Sequence, residues 1–71
     1  MVVLEELVIK KIIEGSSSTL VTEDDQIIRI ENNKLDPDFK GGRVQVAVEY
    51  YGEDNPRYLA FFQGGRIVYP L

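Results

Sequence analysis

The sequence predicts an all-β fold, a small five- or six-stranded antiparallel barrel of the OB-like or SH3-like kind. Three observations carry this. A strict two-residue alternation runs through "RVQVAVEYY", turn-forming clusters separate the apolar segments at short intervals, and the stretches between them are too short for a crossover helix. The alternative fold is α+β, with an N-terminal helix laid on an antiparallel sheet.

The first fourteen residues, "MVVLEELVIKKIIE", are where the two folds part. Their apolar groups, Val3-Leu4, Leu7-Val8-Ile9 and Ile12-Ile13, follow neither the helical period of 3.6 nor the strand period of 2. Glu6 and Lys10 would make a favourable helical pair and Gly15 a helix C-cap. Against the helix, six of the fourteen residues are β-branched, and such side chains favour the pleated surface of a strand. The reading taken is a long bent strand with a bulge near Lys10-Lys11, leading through "GSSS" into a hairpin.

That hairpin is "TLVTEDDQIIRIE", with Asp24-Asp25 at its tip, Val21 facing Ile28 and Thr19 facing Ile30. The linker "NNKLDPDFKGG" is polar and rich in turn formers. In it Asp36-Pro37 starts a turn, and Leu35 and Phe39 are the apolar anchors. Then comes the alternating strand, with Val44, Val46, Val48 and Tyr50 on one face and Arg43, Gln45, Ala47 and Glu49 on the other. "GEDNP" ends it and "RYLAFFQ" resumes the apolar pattern. Two glycines in "QGGR" supply the positive φ that a tight hairpin turn requires, setting Gln63 opposite Arg66, Phe62 opposite Ile67, Phe61 opposite Val68 and Ala60 opposite Tyr69. Pro70 fits only on an edge strand or at a strand's end. The first segment and the last hairpin are apolar on both faces, more than one flat sheet can cover, and closing the sheet into a barrel supplies one of the missing layers.

At 71 residues the chain is one small domain, 1–71, which buries only roughly 60% of its unfolded surface. With no cysteine it has neither a disulfide framework nor a thiolate metal site, which fits a reducing compartment. No apolar run approaches a membrane span, and no charged n-region precedes an apolar h-region. The expectation is a soluble, cytoplasmic protein with no membrane partner. A net charge of −4 has the wrong sign for holding a phosphate backbone by bulk electrostatics, so nucleic acid is a disfavoured partner.

The segments "GGRVQV" and "GGRIVY" resemble, over the second half of the chain, the single-domain OB-type bacterial translation initiation factors. Those lie on the basic, RNA-binding side of the OB class. This chain is acidic and has no room for the usual helix before the fourth strand, so no RNA-binding residue is carried across.

Side-chain inventory argues against catalysis. Without histidine or cysteine there is no base near neutral pH, no thiol nucleophile and no common zinc, copper or haem ligand set. The serines of "GSSST" have nothing to activate them and read as a loop. Asp36, Asp38, Glu53 and Asp54 could pair as acid and base, and Asp36 and Asp38 could join Asn32 and Asn33 as oxygen ligands, but turn formation accounts for them and no calcium-loop spacing is present. The chain is therefore read as a non-enzyme with no cofactor and no metal.

Three function classes follow. The first is a non-catalytic protein-interaction module that self-associates through its Tyr/Phe-rich C-terminal hairpin and the N-terminal segment. Its interface residues are Val3, Leu4, Leu7, Tyr51, Tyr58, Phe61, Phe62 and Tyr69. The partner would be another protein or a second copy, making a homo-oligomer. The second is a single-stranded nucleic-acid binder, with Tyr51, Tyr58 and Phe61 or Phe62 as stacking platforms and Arg43, Arg57 and Arg66 near the phosphates. The third is an acidic inhibitor or mimic that enters a basic groove of another protein through Glu23, Asp24, Asp25, Glu49, Glu53 and Asp54. Adjacent residues of a strand face opposite ways, so Phe61 and Phe62 need cover on two sides. Composition ranks the first class above the others, because a net charge of −4 opposes the second and is too mild to demand the third.

Overall fold

β-branched and alternating segments become strands in chain order: β1 (Val2–Ile13), β2 (Ser18–Thr22), β3 (Ile27–Ile30), β4 (Gly42–Tyr50), β5 (Pro56–Gln63) and β6 (Arg66–Tyr69). They form one antiparallel sheet in the order β3-β2-β1-β4-β5-β6, which curls into a half-barrel. The computed structural model describes residues 1–30, 34–52 and 56–69. No α-helix occurs among them, so the all-β reading holds and the N-terminal helix is set aside. Asn32, Asn33, Glu53, Asp54 and Pro70 lie outside the described residues.

β1 is long because it serves two neighbours. Its first part pairs with β4, from Val2 opposite Glu49 to Ile9 opposite Gly42, and its last part pairs with β2, from Ile9 opposite Thr22 to Ile13 opposite Thr19. Between Ile9 and Lys11 the register with β2 shifts, so Lys10 is the extra residue of a bulge. The bulge explains the irregular apolar spacing. Ile9 is in the core and Ile12, three positions on, packs against it, which an unbroken strand would forbid.

The inward face of β4 is the centre of the core. Val44, Val46 and Val48 are all but fully buried, together with Leu20 from β2, Ile28 and Ile30 from β3 and Phe61 from β5. The side of the half-barrel not closed by strands is filled by the segment 34–41. Phe39 joins the core cluster and Leu35 packs against it, as their apolar character predicts. Asp36 pins this segment to β6. Its N–H donates to the Val68 carbonyl at 2.8 Å and its carboxylate pairs with Arg66. The Asp36-Pro37 turn closes with the Phe39 N–H on the Asp36 carbonyl at 3.0 Å and the Asp38 N–H on the Asp36 side chain at 2.9 Å.

Two expected registers are corrected. In the first hairpin Leu20, not Val21, stands opposite Ile28, and Ser18, not Thr19, stands opposite Ile30. The loop has three residues, Glu23 to Asp25, rather than two: Asp25 takes a left-handed φ of 66° and the Thr22 N–H bonds to the Gln26 carbonyl at 2.9 Å. This register turns Ser18, Leu20 and Thr22 together into the core. In the last hairpin the Gly64-Gly65 turn has the expected positive φ values, 59° and 78°, and Gln63-Arg66 and Phe62-Ile67 pair as expected. Beyond them the register shifts, and Phe61 lies opposite Tyr69 rather than Val68. Val68 is the extra residue, and the bulge sends both Val68 and Tyr69 toward the core.

Candidate functional site

Directly opposed residues of an antiparallel pair lie on one face of the sheet, so the pairings sort the candidate interface residues into two groups. Val3 is opposite Val48, Leu7 opposite Val44, Tyr58 opposite Val48 and Phe61 opposite Val46, and all of these face inward. Phe61 is wholly buried, with Tyr58 and Tyr69 meeting its ring edge-on at centroid distances of 6.1 and 5.6 Å. Phe61 belongs to the core, Leu7, Tyr58 and Tyr69 pack against it, and Val3 is half-buried on the same face.

Leu4 and Phe62 belong to the other group. Leu4 stands opposite Ala47, Ala47 opposite Ala60, and Phe62 opposite both Gln45 and Ile67, which places them on the outer face. Leu4 is 66% exposed, Val2 56% and Ile67 53%. Ala47 and Ala60 lie between them and are buried, their methyl groups too short to rise above longer neighbours. A shallow depression of about 300 Å³ lies alongside, bounded by Phe62, Gln45 and the Glu6-Arg43 ion pair. Tyr51, half exposed, borders the same face. Its hydroxyl donates to Glu49 and accepts from Arg57 at 3.5 Å, and Glu49 and Arg57 are themselves opposed on β4 and β5. Thus Leu4, Phe62 and Tyr51 share a surface, while Val3, Leu7, Tyr58, Phe61 and Tyr69 do not. Val2 and Ile67 complete that surface and were not among the residues singled out from sequence. The parity of Val2 with Leu4, and the pairing of Ile67 with Phe62 across the glycine turn, were signals enough to find them.

Two further groupings emerge only in three dimensions. Glu5, opposite Val46 on the inner face, accepts a hydrogen bond from the Tyr50 hydroxyl. That bond, then desolvation, raises the Tyr50 pKa, and burial followed by the Glu5 charge raises that of Tyr58. Both phenols stay protonated at neutral pH. Elsewhere, an open cleft of about 550 Å³ runs between the β1 bulge and the segment 34–41. Lys10, Lys11 and Lys40 line it over an apolar floor of Ile12, Leu35 and Phe39. Lys10 is held by Asp25, leaving Lys11 and Lys40 to set the charge of the cleft against Glu14.

The acidic residues weighed as a mimic surface are partly engaged at home. Asp24 accepts from the Thr22 hydroxyl, Asp25 pairs with Lys10 and Glu49 accepts from Tyr51. No group of three or more His, Cys, Asp or Glu residues among those described is placed to hold a metal ion. No described helix is long and apolar enough to cross a membrane.

Protein-family models, curated proteins and solved structures were all compared with the chain, and none matches it.

Proposed function

We propose that this protein is a non-catalytic interaction module that associates with a second copy of itself through the outer face of its sheet. One observation carries the reading: on strands whose inner side is already a finished core, the outer side still presents Val2, Leu4, Phe62 and Ile67 around Ala47 and Ala60. Scattered apolar residues are ordinary on a surface, but a contiguous group on a rigid sheet loses contact with water most simply by meeting its like. A small core adds a reason, since a chain of this size gains stability from a partner subunit.

The nucleic-acid reading loses a platform, because Phe61 is enclosed and Tyr58 faces inward, and nothing specific on the outer face favours it over the first. Light scattering across a concentration series tests the self-association. The mass should rise with concentration toward a dimer, and Leu4→Glu should hold it at the monomer with the fold intact. A monomer throughout for the unsubstituted protein would refute the proposal.

A further inference from the structure

β1 leaves part of its backbone unpaired. The β2 ladder begins only at Ile9, and the Glu23 N–H takes the Val8 carbonyl at 2.8 Å, so pairing on that edge stops at Val8 among the described residues. The N–H and C=O of one strand residue point the same way, and alternate residues point oppositely. Since the Val8 carbonyl points toward the β2 side, the N–H and C=O groups of Val2, Leu4 and Glu6 point that way too, with no backbone partner there among the described residues. The odd-numbered residues turn to β4, as the Met1 carbonyl does in accepting the Tyr50 N–H at 3.2 Å.

We infer that two copies of this chain join by antiparallel pairing of this β1 edge about a two-fold axis at Leu4, so that one sheet runs through both. The inference rests on the self-association proposed above and places its contact at the β1 edge that borders the outer face, where the Leu4 residues of the two copies meet. An edge with unpaired donors and acceptors and exposed apolar side chains is a template for another strand, and charges or prolines are the usual devices that block it. Val2 to Glu6 carries no proline and no lysine, and its two charges, Glu5 and Glu6, are engaged within the chain by Tyr50 and Arg43.

The occupant is a second copy because the edge complements itself in one register. Centred on Leu4, the pairing sets Leu4 opposite the partner's Leu4, Val2 opposite the partner's Glu6 and Val3 opposite the partner's Glu5. Each hydrogen-bonded pair exchanges both of its bonds, and no acid directly faces an acid. Moving the axis to Glu5 puts two carboxylates directly opposite each other and pushes the strand end onto Val8, which is already engaged. Moving it to Val3 confines the pairing to Val2–Leu4 of the described strand β1. The Leu4 register also extends the outer row Ala60-Ala47-Leu4 into the same row of the partner, which joins the two apolar faces.

Single substitutions separate this geometry from self-association in general. Leu4→Pro removes an N–H that faces away from β4, a position that an edge strand tolerates, while blocking a partner strand; Leu4→Lys blocks it by charge. In sedimentation equilibrium the unsubstituted chain should be dimeric at high concentration and both variants monomeric with unchanged β circular dichroism. If Leu4→Pro does not fold, Leu4→Lys decides. The chain has no cysteine, so Leu4→Cys and Phe62→Cys each report alone under mild oxidation. Leu4→Cys should form a disulfide-linked dimer, its opposed Cα atoms being about 5.5 Å apart, and Phe62→Cys should not. A folded Leu4→Lys protein that remains dimeric, or cross-linking at position 62 and not at 4, would overturn the edge geometry while leaving self-association standing. A monomeric unsubstituted chain at every concentration would remove both.

Discussion

Val46 is 0% exposed at the middle of the central strand, and its neighbour Gln45 is exposed on the other face. Truncating Val46 to Ala removes buried methyl groups and leaves a cavity, an expected loss of about 1–3 kcal/mol. Gln45→Ala should stay within about 0.5 kcal/mol. Chemical denaturation of the two variants checks the facing directly, and the opposite ranking would invert it. The Glu5-Tyr50-Tyr58 group gives a prediction of a different kind. Both phenols have folded-state pKa values above the ordinary 10.0, so each contributes stability that is fully present below that value and lost as pH rises through its raised folded value. Thermal midpoints should fall on the alkaline side of pH 10.0, and Tyr50→Phe, which cannot ionise beside Glu5, should flatten part of that fall. A decline of equal steepness in Tyr50→Phe would remove Tyr50 from the explanation. At this scale the sequence was informative where alternation was unbroken. Val44, Val46 and Val48 could be assigned to the core by reading alone. That one of Phe61 and Phe62 faces in and the other out was also legible. Which one does so depended on the pairing with Val46, which no local pattern encodes.

Bulges and glycines decide what each element can do. Lys10, Leu59 and Val68 fall where ladders change register, and each shifts the parity of everything after it. The first was visible in the sequence because two lysines interrupt an apolar segment. The other two sit inside apolar runs, where an extra residue leaves no compositional trace, and so the inward turn of Tyr69 could not be foreseen. The same holds for the first hairpin, where Asp25 in a left-handed conformation adds a residue to the loop and slides the whole ladder. Gly41 shows why a glycine precedes β4. Its φ is 93°, and a Cβ there would come within 2.9 Å of the Ile9 carbonyl oxygen at the edge of the β1 bulge. Gly52 has a similar φ of 90° with open space around it. Alanine at either position carries the strain of a left-handed backbone, about 1 kcal/mol, but only Gly41→Ala adds a clash with main chain. Gly41→Ala should therefore lower the unfolding midpoint clearly more than Gly52→Ala, and equal losses would mean that the close approach carries no weight.

At the scale of the molecule, six strands leave the half-barrel with a gap, and the gap is closed by the segment 34–41 rather than by another strand. Leu35 and Phe39 could be read from sequence as anchors because they are the only large apolar residues in a polar linker. The tie of Asp36 to Val68 and Arg66 could not, since it joins residues distant in the chain. The outer face was legible only as a need for more cover than one sheet provides. Its membership, Leu4 and Phe62 with Val2 and Ile67, came from the pairing. Self-association through the β1 edge that borders that face is tested most directly by amide hydrogen exchange along β1, followed by NMR at high and low protein concentration. Val3, Glu5 and Leu7 bond to β4 within one chain and should be protected at both concentrations. Leu4 and Glu6 should be protected only at the high concentration, where a second chain takes up their N–H groups, and should exchange freely on dilution. Free exchange of Leu4 and Glu6 at both concentrations, beside protected neighbours, would contradict the account.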